Sequence, residues 1–564
     1  MKKIYYLPIL MFCFVITGCN KSTKTSQNTP DQLTPSKPIE NFDYLDFSIK
    51  QEPMGFNVSY YSDIYSRGFA WFTDDTTTDT KLYLVESGLN YNADFSNASE
   101  INGETITVKY SKGGESFEAL NDVDNLFEKI TKGSSGNTVN LNVHKVHVEN
   151  LKKNTSYSYK VGSEKGWKYG AFTTEIENPT SITAVQVSDA QSFEPTLLST
   201  FRNTIAQSAA TAREDLDFFM YNGDLFDQSM KKVNNETINH ILRYTKASDA
   251  ITDYKSMIPF MASSGNHEPA APYAQYLGAD INYGAFDYKG ANYSYDYGPA
   301  HFIVLNSNRL SDDDSKDSDY LAQINWLRED LSSDECQNAE WKIVMMHIAC
   351  YSTGDHSNDK DNQRLVERLS PLFSQYHVDL VLQAHDHTYN KTLPYKWDSR
   401  GYSETYNNSN VVEFNAETKE INNRLYDVNP NGTYYVTTGA GGHRVCSYNK
   451  DGKHEYEDGI YAEVIVDEQG NINPADSSKT FRNNKYKCEL GKLNYTTTLN
   501  PFTTSSGITV SGVYTKGNPA TGCVDGQMFG VLNIQDNSLT YDAYVMKLGS
   551  SETLLFDTLN IIHE

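Results

Sequence analysis

The sequence has little positive charge, and this shortage narrows the classes of function it can serve. It contains 48 Lys and Arg residues against 73 Asp and Glu residues, which gives a net charge of −25 at pH 7. An acidic surface repels nucleic-acid backbones, so we expect no nucleic-acid binding. It also repels highly anionic substrates at long range. The chain of 564 residues is long enough for several domains with sizeable cores.

Paired cysteine motifs are also missing from the sequence. None of the seven cysteines forms a C-x-x-C pair, which argues against a zinc site built from thiolates. Six cysteines lie beyond residue 18: Cys19, Cys336, Cys350, Cys446, Cys488 and Cys523. If Cys19 carried a lipid, five cysteines would remain. Because five is an odd number, disulfide bonds within the chain would leave at least one of them free.

Long apolar runs are absent except at the start of the chain, where one predicts an export signal. Lys2 and Lys3 precede an apolar stretch over residues 4–16 that is too short for a permanent membrane helix. The following Gly18-Cys19 is typical of a bacterial lipoprotein cleavage site. We therefore predict a signal peptide over 1–18, lipidation of Cys19 and a flexible tether to residue 40; an ordinary secretory signal is the alternative.

This signal predicts the location of the protein. The mature chain would be exported and anchored by lipid to the bacterial cell envelope, at the outer or cytoplasmic membrane, facing the surface or the periplasm. Membrane contact would occur through the lipid anchor alone. Loss of Lys2 and Lys3 with the signal would change the net charge from −25 to −27.

Residues 41–179 alternate between short apolar runs and turn-forming residues. This spacing predicts an antiparallel sandwich of short strands. The predicted strands cover residues 56–61, 68–72, 81–85, 105–110, 139–143, 156–161 and 167–172. Within this region, residues 151–161 resemble the penultimate strand of fibronectin type III domains. The sandwich shows no catalytic constellation.

From Ser181 onward, strands alternate with stretches of helical periodicity, which predicts an α/β domain over residues 180–564. Core-facing helices are predicted over residues 194–214, 234–246, 319–331 and 361–376. Two polar stretches, about 396–431 and 446–526, interrupt the pattern; such long insertions are usually lids or extra subdomains. Residues 528–533 and 539–545 then predict strands that return to the same domain.

Five strand-like runs of this domain are followed by residues of the types that commonly bind metal ions. In chain order, residues 182–187 precede Asp189 and Gln191, residues 216–221 precede Asp224 and Asp227, residues 258–264 precede Gly265-Asn266-His267-Glu268, residues 341–346 precede His347, and residues 378–383 precede His385 and His387. Each ending alone has an ordinary structural explanation. Ligands gather at the carboxyl ends of strands in α/β sheets. Together these donors suffice for two metal ions, with Asp224 able to bridge them.

The order and spacing of these motifs resemble the calcineurin-like metallophosphoesterase superfamily. The leading sandwich, with residues 293–307, 323–327 and 432–442, further resembles the purple acid phosphatase branch. The resemblance implies a fibronectin type III-like sandwich followed by a four-layer α/β/β/α domain. The metal centre would lie at the rim of that domain.

Carried over residue by residue, the resemblance implies a role for each site residue. One metal ion would bind Asp189, Asp224 and His387, and the other would bind Asp224, Asn266, His347 and His385. A metal-activated hydroxide would attack phosphorus, with His267 as the general acid. His356 occupies the place of a phosphate-contacting histidine, although a solvated loop histidine is the alternative. Glu268 is expected to be structural.

Two positions depart from the purple acid phosphatase pattern. Asp227 stands where that branch carries the tyrosine that ligates ferric iron, so no tyrosinate-to-iron colour is expected. Asp227 resembles instead the aspartate of phosphoprotein phosphatases that orients the histidine, here His267; direct metal binding is the alternative. Gln191 replaces a histidine ligand and would coordinate weakly or leave a water there. Zinc, manganese and iron all remain consistent with this donor set.

The sequence therefore predicts an exported phosphomonoesterase with two metal ions. Its substrate would be a phosphate-ester small molecule or an exposed phosphorylated molecule. A phosphodiesterase or nucleotide hydrolase using the same site is the nearest alternative. A non-catalytic surface protein on a relic phosphatase fold, an adhesin or glycan binder, is the alternative from another class.

Overall fold

The computed structural model of the chain describes these residues: 42–110, 117–119, 139–191, 195–225, 232–233, 236–268, 292–311, 318–351, 356, 359–387, 389–392, 394–397, 417–442, 447–448, 454–456, 462–464, 502–503, 509–510, 526–547, 551 and 553–564. No helix within these ranges is long and apolar enough to cross a membrane. The predicted signal peptide, Cys19 and the tether lie outside them.

The described N-terminal part consists of antiparallel strands in two sheets. The strands are β1 (Met54–Ser59), β2 (Arg67–Asp74), β3 (Lys81–Glu86), β4 (Ser99–Asn102), β5 (Glu104–Tyr110), β6 (Phe117–Ala119), β7 (Val139–Val148), β8 (Ser156–Ser163) and β9 (Gly166–Thr173). The sheet orders are β1-β2-β7-β5-β6 and β4-β3-β8-β9. All of the strands predicted in this region are present, and β4 and β6 are additional.

The two N-terminal sheets share one hydrophobic core. Trp71 of the first sheet and Tyr159 of the second are fully buried in the same cluster of side chains. Along β3, Leu82 and Leu84 are buried, while the alternate side chains are partly exposed. This alternation is what the period of two in a half-buried strand produces. The N-terminal part is therefore a β-sandwich.

The remaining described strands and helices follow in the C-terminal part. The strands are β10 (Ser181–Val187), β11 (Phe218–Tyr221), β12 (Lys232–Val233), β13 (Glu236–Thr237), β14 (Phe260–Ala262), β15 (Tyr293–Tyr297), β16 (Ala300–Val304), β17 (Trp341–Met345), β18 (Leu380–Gln383), β19 (Tyr389–Lys391), β20 (Glu417–Ile421), β21 (Arg424–Val428), β22 (Tyr434–Thr438), β23 (Ser447–Tyr448), β24 (His454–Tyr456), β25 (Ala462–Val464), β26 (Phe502–Thr503), β27 (Thr509–Val510), β28 (Gly526–Gln535), β29 (Ser538–Lys547) and β30 (Thr553–Ile562). The helices are α1 (Pro195–Ala212), α2 (His240–Asp249), α3 (Thr252–Lys255), α4 (Ser307–Ser311), α5 (Ser318–Leu331), α6 (Asp334–Asn338) and α7 (Lys360–Gln375), with a 3₁₀ turn at Arg213–Asp215.

Two large mixed sheets organise this part of the chain. One has the order β14-β11-β10-β28-β29-β30-β21-β20, and the other has the order β15-β16-β17-β18-β22-β19-β25. Strands β10, β11 and β14 are parallel to one another, as are β16, β17, β18 and β22. The carboxyl ends of parallel neighbours therefore lie along one edge of each sheet.

The two large sheets pack against each other, and helices cover their outer faces. Phe218 of β11 meets Phe302 of β16 edge to face, with ring centroids 5.3 Å apart. Helix α1 packs against β10 and β28 of the first sheet. On the far side of the second sheet, Val344 of β17 shares a core with Leu327 of α5 and Leu369 of α7. The apolar stripe predicted for α7 faces that core, and so does the stripe predicted for α5 except for Leu321, which is 45% exposed.

Three details differ from the prediction or add to it. The helix predicted from residue 234 begins at His240, because the Asn239 side chain caps it by accepting a hydrogen bond from Ile241 N at 3.1 Å. The insertion over 396–431 contains the hairpin of β20 and β21, which extends the eight-stranded sheet. Strand β25, within the insertion over 446–526, pairs with β19 of the other sheet. The predicted return of the chain is confirmed, since β28 pairs with β10.

One contact of the sandwich with the second domain is made through α2, α3 and Ser256, the residue after α3. The Asp249 carboxylate at the end of α2 accepts hydrogen bonds from Gly55 N (3.0 Å) and Lys168 Nζ (3.1 Å) of the sandwich. The Tyr159 hydroxyl donates to the backbone oxygen of Ser256 at 2.9 Å. Gly55 has a φ of +59°, and a Cβ there would lie 3.0 Å from the Thr245 methyl group. This contact therefore requires glycine.

Candidate metal centre

The predicted metal ligands follow the carboxyl ends of parallel strands in both large sheets. Asp189 follows β10, Asp224 follows β11 and Asn266 follows β14, which are neighbours in the eight-stranded sheet. His347 follows β17 and His385 follows β18, which are neighbours in the seven-stranded sheet. Because these sheets face each other, the two groups of residues meet at one rim.

Asn222 ties the two sheets together at this rim. Its side-chain Nδ2 donates to the backbone oxygens of Met346 (3.1 Å) and Leu382 (2.8 Å), at the ends of β17 and β18. Its backbone oxygen accepts a hydrogen bond from His347 Nδ1 at 2.6 Å. The position and ring orientation of His347 are thus set by a residue of the opposite sheet.

The second predicted ligand set is assembled in the structure. One donor atom each from Asp224, His347 and His385 lie within 4.8 Å of one another. The Asn266 side-chain oxygen lies 2.8 Å from His347 Nε2 and 2.9 Å from His385 Nδ1. Asp224 and His347 are buried, whereas Asn266 is exposed. The cluster is therefore closed on one side and open to solvent on the other.

The first predicted set lies beside the second. His387 Nε2 is 3.6 Å from Asp189 Oδ1. The other carboxylate oxygen, Oδ2, accepts hydrogen bonds from Ser188 Oγ (2.6 Å) and from His385 N (3.3 Å). The backbone of His385 therefore links the Asp189 carboxylate to the second set of ligands.

The chemistry of these donors fits a metal cation. His347 Nδ1 donates to a carbonyl oxygen, so in the neutral ring Nε2 carries a lone pair. That lone pair faces the Asn266 side-chain oxygen and, at 3.4 Å, Asp224 Oδ1. Electron-rich atoms this close repel one another unless a proton or a cation lies between them. An imidazole fixed through its other nitrogen is the usual arrangement of a metal ligand.

Burial and neighbouring charges shift the pKa values of the ionisable groups at this site. Burial alone would lower the pKa of His347, but the charge of Asp224 raises it to about 10. Burial would raise the pKa of Asp224, yet the charge of His347 holds it well below its usual range. Burial and the neighbouring His347 keep the pKa of His385 well below its usual value, so this ring is neutral.

Glu268 has a perturbed pKa of its own. Burial and the negative charge of Asp224 raise the pKa of Glu268 to about 7, although hydrogen bonds from backbone N–H groups oppose this change.

Four site residues have left-handed backbone conformations that are uncommon outside glycine. The φ angles are +51° at Asp189, +43° at Gln191, +58° at Asp224 and +73° at His385. Such strain clusters at functional sites, where the surrounding structure must hold it in place.

The loop after β14 approaches the site too closely for any side chain at position 265. A Cβ on Gly265 would lie 2.1 Å from Asp224 Oδ1 and 2.7 Å from Glu268 Oε2. Glycine is therefore required beside the predicted bridging carboxylate. This explains in physical terms why a glycine precedes Asn266.

His267 and Gln191 both contact the Asp224 carboxylate. His267 N donates to Oδ1 at 2.9 Å, and His267 Nε2 lies 3.8 Å from Oδ2. Gln191 Nε2 donates to Oδ2 at 3.2 Å. Since a carboxylate can only accept, the atom of Gln191 that faces it is the amide nitrogen, not a ligand oxygen.

His356 lies at the open side of the cluster. Its ring centroid is 4.1 Å from that of His385, and its backbone N donates to Asp386 Oδ1 at 2.8 Å. The side chain is 45% exposed, and its Nδ1 lies 2.8 Å from Asp359 Oδ2. The structure therefore places His356 beside a predicted ligand. Asp227 lies outside the described residues.

Sequence reasoning missed several residues that support the site. Besides Asn222, Ser307 Oγ accepts a hydrogen bond from Ile348 N (2.8 Å), and Asn308 Nδ2 donates to Gly265 O (3.0 Å). These contacts brace the loops after β17 and β14 against helix α4. Asn222 reads as the first residue of an Asn-Gly turn, and Ser307 ends the stretch 293–307 that resembles the purple acid phosphatase branch. Neither pattern indicates which loops these side chains contact.

Comparison with known proteins identifies the class. Residues 182–389 match the calcineurin-like phosphoesterase family, and residues 53–175 match the purple acid phosphatase N-terminal domain. The chain therefore contains a calcineurin-like metallophosphoesterase domain preceded by a purple acid phosphatase N-terminal domain. Purple acid phosphatase-like metallophosphoesterases use a dinuclear metal centre.

Several relatives of the chain are named acid phosphatases. Acid phosphatase type 7 of Danio rerio is 26% identical over 369 residues, which span 58% of this chain and 72% of that protein. The Homo sapiens protein of the same name is 25% identical over 315 residues, spanning 54% of this chain and 64% of its own length. The solved structure of purple acid phosphatase PPD1 from yellow lupin seeds aligns with a TM-score of 0.51 and 16% identity, covering 91% of this chain and 75% of that one. That structural likeness concerns the fold.

Proposed function

We propose that this protein is a phosphoesterase with a dinuclear metal centre that hydrolyses phosphate monoesters. The observation that carries the proposal is the meeting of Asp224, His347, His385 and Asn266 donor atoms from two sheets at one rim. The acid phosphatase names of the relatives favour a monoester over a diester.

Two metal ions would be held by the ligand sets predicted from the sequence. Asp189, Asp224 and His387 would hold one ion, and Asp224 would share the other with Asn266, His347 and His385. When bound, the ions supply positive charge for the phosphoryl oxygens and activate the attacking water. The donors are oxygen and nitrogen atoms only, which suits zinc, manganese or iron.

The protein's own residues then bind the phosphate and move the proton. His267 would donate the proton on Nε2 to the leaving oxygen, since its main chain is fixed by Asp224 Oδ1 and its ring is only 26% exposed. His356, on the open side, would hydrogen-bond a phosphate oxygen. Asp227 would orient His267, and because it stands in place of a tyrosine, no tyrosinate-to-iron colour is expected.

We extend the proposal to the finer architecture. The helix-covered pair of large sheets corresponds to a four-layer α/β/β/α domain over 180–564, and the preceding sandwich over 41–179 to a fibronectin type III-like domain. The packing of Phe218 on Phe302, with α1 and α5 on the outer faces, supports the layering. The insertions 396–431 and 446–526 belong to the second domain.

The proposed location and partners rest on the sequence alone. The protein would be exported and lipid-anchored at Cys19 to the cell envelope. It would act on a phosphorylated small molecule or an exposed phosphorylated substrate. It would contact the membrane only through its anchor and would not bind nucleic acid.

The proposal is tested on the purified chain by elemental analysis, a visible spectrum and hydrolysis of an aryl phosphate monoester and diester. We expect about two metal atoms per chain, no purple band and faster cleavage of the monoester. Asp224→Asn should lose metal and activity together, whereas Asp79→Asn, an exposed control in the sandwich, should keep both.

Other outcomes would redirect the assignment. Faster cleavage of the diester would favour the phosphodiesterase or nucleotide hydrolase. A purple band would overturn the role given to Asp227. If the purified protein contains no metal and stays inactive after reconstitution with zinc, manganese or iron, a non-catalytic surface protein would be the remaining interpretation.

A further inference from the structure

Glu268 is a buried carboxylate at the metal centre that is not itself a predicted ligand. It is only 2% exposed. Its Oε2 accepts hydrogen bonds from Asp224 N and Gly265 N, both at 2.8 Å, and its Oε1 accepts one from Leu225 N at 2.5 Å. Both oxygens of a carboxylate can accept hydrogen bonds from these donors. A glutamine of the same size has only one acceptor oxygen, because its other terminal atom is an NH₂ group.

The donors to Glu268 belong to two different loops. Asp224 and Leu225 follow β11, whereas Gly265 follows β14 and directly precedes Asn266. The loops are also joined in the opposite direction, because His267 N in the loop after β14 donates a hydrogen bond to Asp224 Oδ1 at 2.9 Å. The two loops that carry Asp224 and Asn266 are therefore held in one register by a reciprocal set of hydrogen bonds.

We propose that Glu268 is a positioning residue that holds Asp224 and Asn266 at the separation needed to bind metal. The proposal rests on the function proposed above and assigns to Glu268 a role in metal affinity beyond fold stability. Residues that orient metal ligands without touching the metal typically change affinity by about 10- to 100-fold when they are replaced.

The geometry explains why close substitutes fail. In Glu268→Gln, one acceptor oxygen becomes an NH₂ group that faces a backbone N–H, either that of Leu225 or those of Asp224 and Gly265. Glu268→Asp keeps the charge but shortens the reach by one methylene group. A positioning role therefore predicts weaker metal binding in both variants, whereas a purely electrostatic role predicts a loss only in Glu268→Gln.

The test measures zinc binding to the chelator-stripped chain by calorimetric titration, with the thermal midpoint of each metal-free variant recorded in parallel. The matched control is Glu175→Gln, which alters a buried carboxylate of the sandwich that accepts hydrogen bonds from Tyr60 and Arg67. We expect Kd for zinc to rise about 10- to 100-fold in Glu268→Gln and Glu268→Asp. Glu175→Gln should lower the thermal midpoint with Kd changed less than about twofold.

Three results would overturn the proposal. The first is unchanged Kd in Glu268→Gln despite a lowered midpoint, and the second is a normal Kd in Glu268→Asp. The third is a Glu268→Gln chain that is unfolded without metal and stays unfolded in saturating zinc, which would make the role structural alone. If the wild-type chain binds no metal and hydrolyses no ester, the proposed function fails instead, so the two failures are distinct.

Discussion

Asp224 joins the loops of the site through its main chain as well as its carboxylate. Its N–H donates to Glu268, its backbone oxygen accepts a hydrogen bond from Gln191 N at 2.9 Å, and its side chain accepts from His267 N and Gln191 Nε2. A substitution at this residue would therefore remove a predicted ligand and also disturb the neighbouring loops. His267 and Gln191 allow more selective tests.

His267→Gln should lower kcat for an aryl phosphate monoester by about 10²- to 10⁴-fold, because it removes the proton donor to the leaving oxygen. Metal content should remain at the wild-type value, since His267 is not a predicted ligand. The control is His377→Gln, which changes an exposed histidine after helix α7. Steady-state kinetics with elemental analysis checks both points, and a parallel loss of metal would contradict the assignment.

Gln191→His should strengthen metal binding by roughly tenfold, because an imidazole nitrogen is a better ligand than an amide for zinc and iron. In the wild-type protein, the amide nitrogen of Gln191 faces Asp224 Oδ2. Gln375→His, at the end of α7, is a control for adding a histidine elsewhere. Competition with a chromophoric chelator measures the change, and unaltered affinity would show that position 191 does not face the ion.

The strand-end residues could be predicted because each follows an apolar run that ends in a turn, a pattern contained in a few consecutive residues. Asp189, Asp224 and His347 are found in this way. The contacts of Asn222 and Glu268 could not be predicted, since they depend on how two sheets and two loops meet in space. Gln191 was recognised as a departure, but the direction of its amide group depended on the position of Asp224.

At the scale of elements, His301 connects the β15–β16 hairpin to helix α5. Its Nδ1 lies 2.6 Å from Asp296 Oδ1 on β15, and its Nε2 lies 3.1 Å from Asp330 Oδ2 on α5. Burial alone would lower the pKa of His301, but hydrogen bonds to the two carboxylates raise it to about 9. The charged imidazole thus stabilises the packing of α5 on the seven-stranded sheet.

This contribution to stability should be lost in alkaline solution. The folded pKa lies above the ordinary value of 6.5, so the stabilisation is complete below about pH 6.5 and disappears as the pH rises through about 9. A shift of this size corresponds to about 3 kcal/mol at most. Urea unfolding of wild type and His301→Gln from pH 6 to 10 gives the difference directly. A gap between the two proteins that does not narrow with pH would contradict the prediction.

Elements on the exposed edge of a sheet were harder to predict than those in the core. Strand β20 has the sequence Glu-Thr-Lys-Glu-Ile, and most of its side chains are exposed. With neither face buried, it lacks the alternation of apolar and polar residues by which strands are recognised. The sequence of β20 and β21 therefore predicts part of a polar insertion and not a hairpin. The β10, β11 and β17 strands are buried and were predicted correctly.

At the scale of the whole molecule, the sandwich is bonded to the helices that precede the candidate metal site. The Asp249 carboxylate accepts hydrogen bonds from Gly55 and Lys168 of the sandwich. After Asp249, the chain continues through α3 and β14 to Asn266. The sandwich therefore supports a segment of the phosphoesterase domain, although none of its described residues is among the predicted ligands.

Asp249→Ala should weaken this contact by about 1–3 kcal/mol, because the Gly55 N–H loses its acceptor in a partly buried position. Amide hydrogen exchange should accelerate in β1 and α2, with little change in β8 at the centre of the sandwich. Asp79→Ala, an exposed control, should leave all three segments unchanged. Mass spectrometry of exchange reads these segments separately, and wild-type exchange in β1 would refute the role of Asp249.

The left-handed backbone at Asp189, Gln191, Asp224 and His385 has a consequence for how the protein can evolve or be engineered. Each such residue costs on the order of 1 kcal/mol relative to glycine or a relaxed conformation. Glycine would relieve the strain at all four positions, but it supplies no carboxylate, amide or imidazole. If stability were selected without activity, glycine substitutions at these four positions would therefore be favoured. A thermostabilised descendant obtained in this way would lose the functional side chains of this rim first.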